Sequence, residues 1–436
     1  MKLLYLAIFV ALTKTSAFLP VQSPLSSRQS HRYATVNAMV DIDEKAPRDV
    51  ATFDQWAAAC GVQRAEGFQL TSDDGQDIYA MTTQNLPANS PVLLVPNQMI
   101  LSSSRAMQEF GQLREAEEQL ATLNISDQLR HYYLMIKILV EYEKGDASPW
   151  YPWLNSLPRF YTNGASMTSL CYECLPPLVR SLALKERTNL MCFDLKKVPF
   201  LSEETKKNRD LLKWAFQVVY TRSFEADDGS GDLRIAPMCD MFNHGTETEI
   251  ALMYDGEGNC YAQTTRDVPA GSPLRMSYGD PTNPSYLFAR YGFVDETAPA
   301  TFCKIIIPHV TKELEEIGYA HNRMLFYHET GDVSEEVWDV LLYQILGENA
   351  AKRRQFYEAH KNGDYQTKQA IHQEYWPQTS AKLLDHINDF LAQLQNLEGK
   401  ARGKDPNEHP RLPLIMRHNE GVRDTFLKVR ARYFGQ

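Results

Sequence analysis

The chain has 436 residues, a formal net charge of −10, 43% apolar residues and 23% charged ones. Length suggests two or three structural units, and the composition is that of a soluble globular protein. The acidic balance argues against a protein that coats nucleic acid and fits a basic partner such as a lysine-bearing segment, although acidity also serves solubility alone.

Lys2 precedes an apolar run at 3–12, and Thr15 and Ala17 supply the small residues of a cleavage site. Residues 1–17 therefore read as a signal peptide, too short to span a bilayer as a mature helix. Residues 18–45 read as a transit-like segment, with Ser23, Ser26, Ser27, Ser30, Arg28 and Arg32 and no acidic residue before Asp41. Ser16-Ala17-Phe18-Leu19-Pro20 resembles the bipartite leaders of algae with secondary plastids. The expected destination is the plastid stroma, with the secretory pathway as the alternative. No membrane association is expected once the leader is removed.

Asp73-Asp74-Gly75 predicts a turn, and strands follow at 78–81 and 91–96, the latter bounded by prolines. From 104 to 220 the pattern is helical, with apolar stripes at 132–143 and 211–220. Pro149, Pro152 and Pro158 interrupt it as a rigid loop around Trp150-Tyr151-Pro152-Trp153-Leu154. Strand signals return at 233–237, 250–254, 261–265 and 274–278, with turns at Gly256-Glu257-Gly258 and Ala270-Gly271. After about residue 302 the chain reads as helical to its end. Ser334 with Glu335 and Glu336 predicts a capped helix start. Leu383, Leu384, Ile387, Phe390, Leu391 and Leu394 form one apolar stripe. A polar linker at 400–413 precedes a basic final helix at 415–433.

Cys60, Cys171, Cys174, Cys192, Cys239, Cys260 and Cys303 are too scattered for a disulfide framework. The single pair Cys171/Cys174 lacks the partners of a structural zinc site, and Asp240 with His244 supplies too few ligands, so no metal is expected.

Two motifs carry chemistry. Arg234-Ile-Ala-Pro-Met-Cys-Asp-Met-Phe-Asn-His244 is an apolar strand running into Asp240, Asn243 and His244. Arg275-Met-Ser-Tyr-Gly279 follows, and Tyr291 lies thirteen residues after Tyr278. Taken singly, each tyrosine is an ordinary packed aromatic. Together with Asp74-Gly75-Gln76-Asp77-Ile78-Tyr79-Ala80, Trp214-Ala-Phe-Gln-Val-Val-Tyr-Thr-Arg222-Ser-Phe224 and the Trp150–Pro158 segment, the set resembles the SET superfamily. The branch it resembles contains the Rubisco large-subunit lysine methyltransferase and its relatives. A second glycine usual in that family is Asp77 here.

The resemblance implies an α+β chain: a β-rich SET fold with knot-like C-terminal threading at 46–300, a helical insert at about 104–220, and an all-helical substrate-binding domain at 301–436. It implies S-adenosyl-L-methionine as cofactor, held by Asp74, Gly75, Gln76, Asn243 and His244. Tyr278 would be the catalytic tyrosine, and Arg222, Phe224, Asp240, Tyr278 and Tyr291 would line the substrate side. The implied activity is protein-lysine N-methylation by a monomer acting on a plastid protein. The alternatives are a protein-histidine N-methyltransferase and an inactive SET-fold binding module.

The chemistry explains the residue types. A lysine amine, with an ordinary pKa of about 10.4, must lose its proton to attack a sulfonium methyl group. An apolar aromatic channel disfavours its charged form. Alignment and desolvation then supply much of the acceleration.

Overall fold

The computed structural model describes residues 38–226, 229–280, 282 and 284–435. The signal peptide and residues 18–37 of the transit-like segment lie outside the described residues. Residues 38–45 are part of the folded body: Val40 is buried in the main core, and the Ala38 carbonyl accepts the Asp146 N–H at 2.9 Å.

The helix Val50–Ala59 starts where the Asp49 carboxylate accepts the Thr52 N–H at 3.0 Å, a side-chain N-cap. A four-stranded antiparallel sheet follows in the order Gln63–Arg64, Pro91–Val95, Cys260–Thr264, Ile250–Tyr254. Along Cys260–Thr264, alternate residues turn inward, and Cys260, Ala262 and Thr264 are buried. Phe68–Thr71 pairs with Tyr79–Thr82, and Leu233–Ile235 lies between Leu101–Ser102 and Phe224–Glu225.

The strands expected at 233–237 and 274–278 are shorter than their apolar runs. The first stops at Ile235, two residues before Pro237, which has no N–H for a ladder. The second is only Arg275–Met276, paired in parallel with Asn243–His244. Ser277 and Tyr278 leave the ladder, and this frees the Tyr278 N–H for another partner.

The segment between the two β-rich parts is helical, as its periodicity indicates, from Ser103–Phe110 to Arg209–Arg222. Leu129–Glu143 is its central helix, with Tyr132, Tyr133, Leu134, Met135 and Ile136 buried in succession. The proline-rich loop expected around Trp150 is instead the short helix Tyr151–Ser156. Pro152 sits in its first turn, where a missing N–H costs nothing.

The C-terminal region is helical around its own core, in which Phe326, Phe356, Leu383, Ile387, Phe390 and Phe426 meet. It is not all-helical. Ala300–Phe302 pairs antiparallel with Leu325–Tyr327, and Phe302 and Phe326 enter that core. Ser334 stands at the start of the helix Glu335–Ile345, but its hydroxyl does not cap it. It donates to the Arg323 carbonyl and accepts the Leu325 N–H, tying the helix to the strand Leu325–Tyr327. The expected stripe lies on Tyr365–Ala401, with Leu383, Ile387, Phe390 and Leu394 buried. The final helix is Leu412–Phe434. Among the described residues no helix is long and apolar enough to cross a membrane, and no cluster of metal-ligating side chains occurs. All seven cysteines are free thiols.

Candidate functional site

A cavity of about 890 Å³ opens between the 74–78 loop, the parallel pair at 243–244, the loop at 158–162 and the aromatics near 291. The 74–78 loop is shaped by its own side chains. The Asp74 carboxylate accepts the N–H groups of Gln76 and Asp77, both at 2.8 Å, and these bonds hold its pKa below the usual range. Gly75 has φ +76° with open space around it, so glycine is needed there for the backbone and not for room.

Asp77 closes the loop against the opposite strand, accepting the Asn243 side-chain N–H at 3.3 Å. Solvent in the open cavity reaches its side chain, yet the protein crowded around it pushes its carboxyl upward. The bond from Asn243 and the charges of Arg48 and Arg222 only partly offset that. Asp77 therefore stands in the loop without blocking it and ties it to Asn243.

His244 and Tyr278 form the centre. The Tyr278 N–H donates to His244 Nδ1 at 3.1 Å, so that nitrogen is unprotonated and the ring proton sits on Nε2. Nε2 faces the Asp295 carboxylate at 3.2 Å, which also accepts the hydroxyls of Thr246 and Thr297. Burial alone would raise the Asp295 pKa, but these three donors hold it well below the carboxylate range. The Tyr278 hydroxyl donates to the Phe242 carbonyl at 2.7 Å. Burial keeps this phenol protonated.

Around Tyr278 the rings of Tyr291, His244, Phe224 and Phe293 lie 4.7, 5.5, 6.1 and 6.4 Å away. Gly292 fits the turn between Tyr291 and Phe293. It has φ +79°, and a Cβ there would come within 2.4 Å of the Asn163 nitrogen. Asn163 and Thr162 in turn donate to the carbonyls of Arg290 and Gly292.

The remaining corner is ionic. The Asp240 carboxylate is fully buried and accepts Trp153 Nε1 at 3.0 Å and Arg222 Nη1 at 3.1 Å through the same oxygen. Arg222 also donates to the Asp240 backbone carbonyl at 2.8 Å. Arg48 comes from the segment before the first helix. It donates to the carbonyls of Ser156 at 2.7 Å and Gln76 at 2.6 Å. Burial, and then the neighbouring Arg222 charge, lower the Arg48 guanidinium to about 10.

Four buried polar atoms in this corner make no well-formed hydrogen bond among the described residues: Arg48 Nη2, Arg222 Nε, the Tyr161 hydroxyl and Asp240 Oδ1, although the Arg222 guanidinium lies beside the Tyr161 hydroxyl. Buried donors and acceptors of this kind are costly to leave unmade. The corner thus offers three donors, two of them cationic, and one anionic acceptor.

Every site residue singled out in the sequence lines this cavity or touches one that does: Asp74, Gly75, Gln76, Asn243, His244, Tyr278, Tyr291, Arg222 and Asp240 line it. Phe224 packs on Tyr278. Arg48, Tyr161, Phe293 and Asp295 were not singled out. Phe293 lies two residues after Tyr291 and could have been found from it. Arg48 and Tyr161 are remote from every motif and carry no local signal.

No protein-family model matches the chain. It is similar to SET domain-containing protein 4 of Artemia parthenogenetica, 25% identical over 51% of this chain and 56% of that protein. It is 32% identical to a ribosomal lysine N-methyltransferase of Schizosaccharomyces pombe over 34% of this chain and 39% of that protein. It is 24% identical to the actin-histidine N-methyltransferase of Drosophila melanogaster over 58% of this chain and 50% of that protein. The matches thus span between about two fifths and just over half of these relatives' lengths. Among solved structures it superposes on the SET domain of LSMT bound to lysine and AdoHcy with a TM-score of 0.58 at 14% identity, covering 88% of this chain and 91% of that one. Rubisco LSMT bound to AdoMet gives 0.56 at 15% identity, covering 89% and 92%. At such identity the likeness is one of fold, and the fold is the SET fold of these structures.

Proposed function

From a chain with the SET fold and SET-type methyltransferases among its relatives, we propose an S-adenosylmethionine-dependent protein-lysine N-methyltransferase. The observation that carries this reading is the ionic corner joined to the aromatic centre. An α-amino-acid end bears one carboxylate and one ammonium group. Arg48 Nη2, Arg222 Nε and the Tyr161 hydroxyl are donors for the first, and Asp240 Oδ1 is an acceptor for the second. On this reading Arg222 and Asp240 hold the cofactor, not the substrate wall that the resemblance implies. The 74–78 loop and Asn243-His244 complete the cofactor side.

When bound, S-adenosylmethionine supplies a methyl group on a sulfonium. The chain's own residues do the rest. Tyr278, Tyr291, Phe224 and Phe293 surround the transfer point with rings, which disfavour a charged amine and exclude water. The Tyr278 hydroxyl proton is committed to the Phe242 carbonyl, so its oxygen presents only lone pairs to the cavity. It can accept an amine N–H and so turn the nitrogen lone pair toward the methyl group. Asp295 and His244 hold the Tyr278 backbone, and with it the ring, in place.

We extend the proposal to a plastid substrate on the leader composition, and to a substrate-docking role for the C-terminal helices on the fold. A histidine target is the second reading, favoured by the match to the actin-histidine enzyme. Incubation with labelled S-adenosylmethionine and a soluble protein extract, followed by analysis of the methylated residue, tests both. N-methyllysine supports the proposal, and N-methylhistidine supports the second reading.

A further inference from the structure

The loop between the last two helices reaches back to the cavity. Arg411, the residue before Leu412–Phe434, is 7% exposed although it bears a charge. Its Nε donates to the Tyr161 carbonyl at 2.8 Å. Its Nη2 donates to the Glu44 carboxylate at 2.5 Å, and its guanidinium lies 4.6 Å over the Phe160 ring. Glu44, Phe160 and Tyr161 all line the cavity. One side chain therefore joins the C-terminal region to two separate stretches of the cavity wall.

Both stretches lead to the ionic corner. Tyr161 carries the buried hydroxyl that makes no well-formed hydrogen bond among the described residues. Glu44 lies four residues before Arg48, which contributes a second unpartnered donor. Lys213 is the other cation near Glu44, at 3.8 Å, too far for a strong hydrogen bond. Of these two cations, Arg411 is the one within hydrogen-bond reach of Glu44, and it alone of the two also bonds the Tyr161 backbone. Thr162, next to Tyr161, also donates to the Gly292 carbonyl, so the same loop braces the turn after Tyr291.

We infer that Arg411 is a positioning residue for the cofactor end of the cavity: it fixes the Tyr161 and Glu44–Arg48 walls from the C-terminal region without touching the cofactor. This inference rests on the cofactor reading given above. Donors must be held to a fraction of an ångström, so a wall left loose costs affinity even when every donor is present.

The test is calorimetric titration of the full chain with S-adenosylhomocysteine, which needs no methyl acceptor. Arg411→Ala should weaken binding roughly tenfold or more at a temperature well below its melting midpoint. Arg411→Lys keeps a cation for Glu44 but has no Nε to donate to Tyr161, and should fall between wild type and Arg411→Ala. A purely structural role would lower the thermal midpoint and leave the affinity within twofold of wild type, and that result would overturn the inference. Should Arg411→Ala fail to fold, Arg411→Lys carries the test with the same two outcomes. Wild-type protein that does not bind S-adenosylhomocysteine would overturn the cofactor reading instead.

Discussion

The backbone N–H of Tyr278 donates to Nδ1 of His244 across 3.1 Å, and this bond locks the two motifs of the site to each other. It is possible because the strand Arg275–Met276 ends two residues before Tyr278. It fixes the imidazole tautomer, which directs Nε2–H at Asp295.

Asp295 is therefore expected to support the site in a pH-dependent way. Its folded pKa lies below the unfolded value of about 3.9, so its contribution to stability is complete above about pH 5. That contribution is lost as pH falls through the lower folded value. Thermal melts should show Asp295→Ala less stable than wild type at pH 7, with the gap narrowing below about pH 4. A gap independent of pH would contradict this.

Removing the Tyr278 hydroxyl takes away the oriented acceptor and leaves the Phe242 carbonyl without its donor. Tyr278→Phe should lower methyl transfer by about 10²–10³-fold and stability by about 1–3 kcal/mol. S-adenosylhomocysteine affinity should stay within a few-fold of wild type. Turnover equal to wild type would remove Tyr278 from the mechanism.

Asp77 behaves in the opposite sense to Asp295. Its carboxyl is pushed up by the protein around it, so its charge works against folding above the folded pKa, and this cost vanishes as pH falls. Asp77→Asn should be more stable than wild type at pH 7 and level with it near pH 4. It also removes an anion beside Arg48 and Arg222, so S-adenosylhomocysteine should bind a few-fold more tightly. Weaker binding would show that the carboxylate itself has a role in the site.

Arg222 compensates a fully buried carboxylate, Asp240. Arg222→Ala should cost about 3–5 kcal/mol, because it strands that charge. Gly292→Ala should also destabilise, since its Cβ would strike the Asn163 nitrogen and its φ is left-handed. Chemical denaturation measures both; a loss below about 1 kcal/mol for Arg222→Ala would mean that Asp240 finds water instead.

The parts legible in the sequence are those in which chemistry and local spacing coincide. Asn243-His244, Tyr278 and Tyr291 are short motifs, and the structure brings their side chains into one cavity. The two β-rich segments and the helical insert follow from periodicity. What stayed hidden depends on contacts between distant residues. Arg48 is an ordinary arginine until Ser156 and Gln76 accept its donors. Arg411 lies 250 residues from Tyr161 and sits in what reads as a polar linker. Pro152 reads as a breaker because its position in a first turn is set by the loop before it. The antiparallel pair of Ala300–Phe302 with Leu325–Tyr327 is invisible because each strand has only three residues and a helix separates them.

The central claim is methyl transfer to protein lysine, and one measurement tests it most directly. Purified protein is incubated with methyl-labelled S-adenosylmethionine and soluble protein extract, and the labelled amino acid is identified after hydrolysis. Label is expected in N-methyllysine and is expected to be strongly reduced with Tyr278→Phe. Protein that binds S-adenosylhomocysteine yet transfers no label to any protein would contradict the claim.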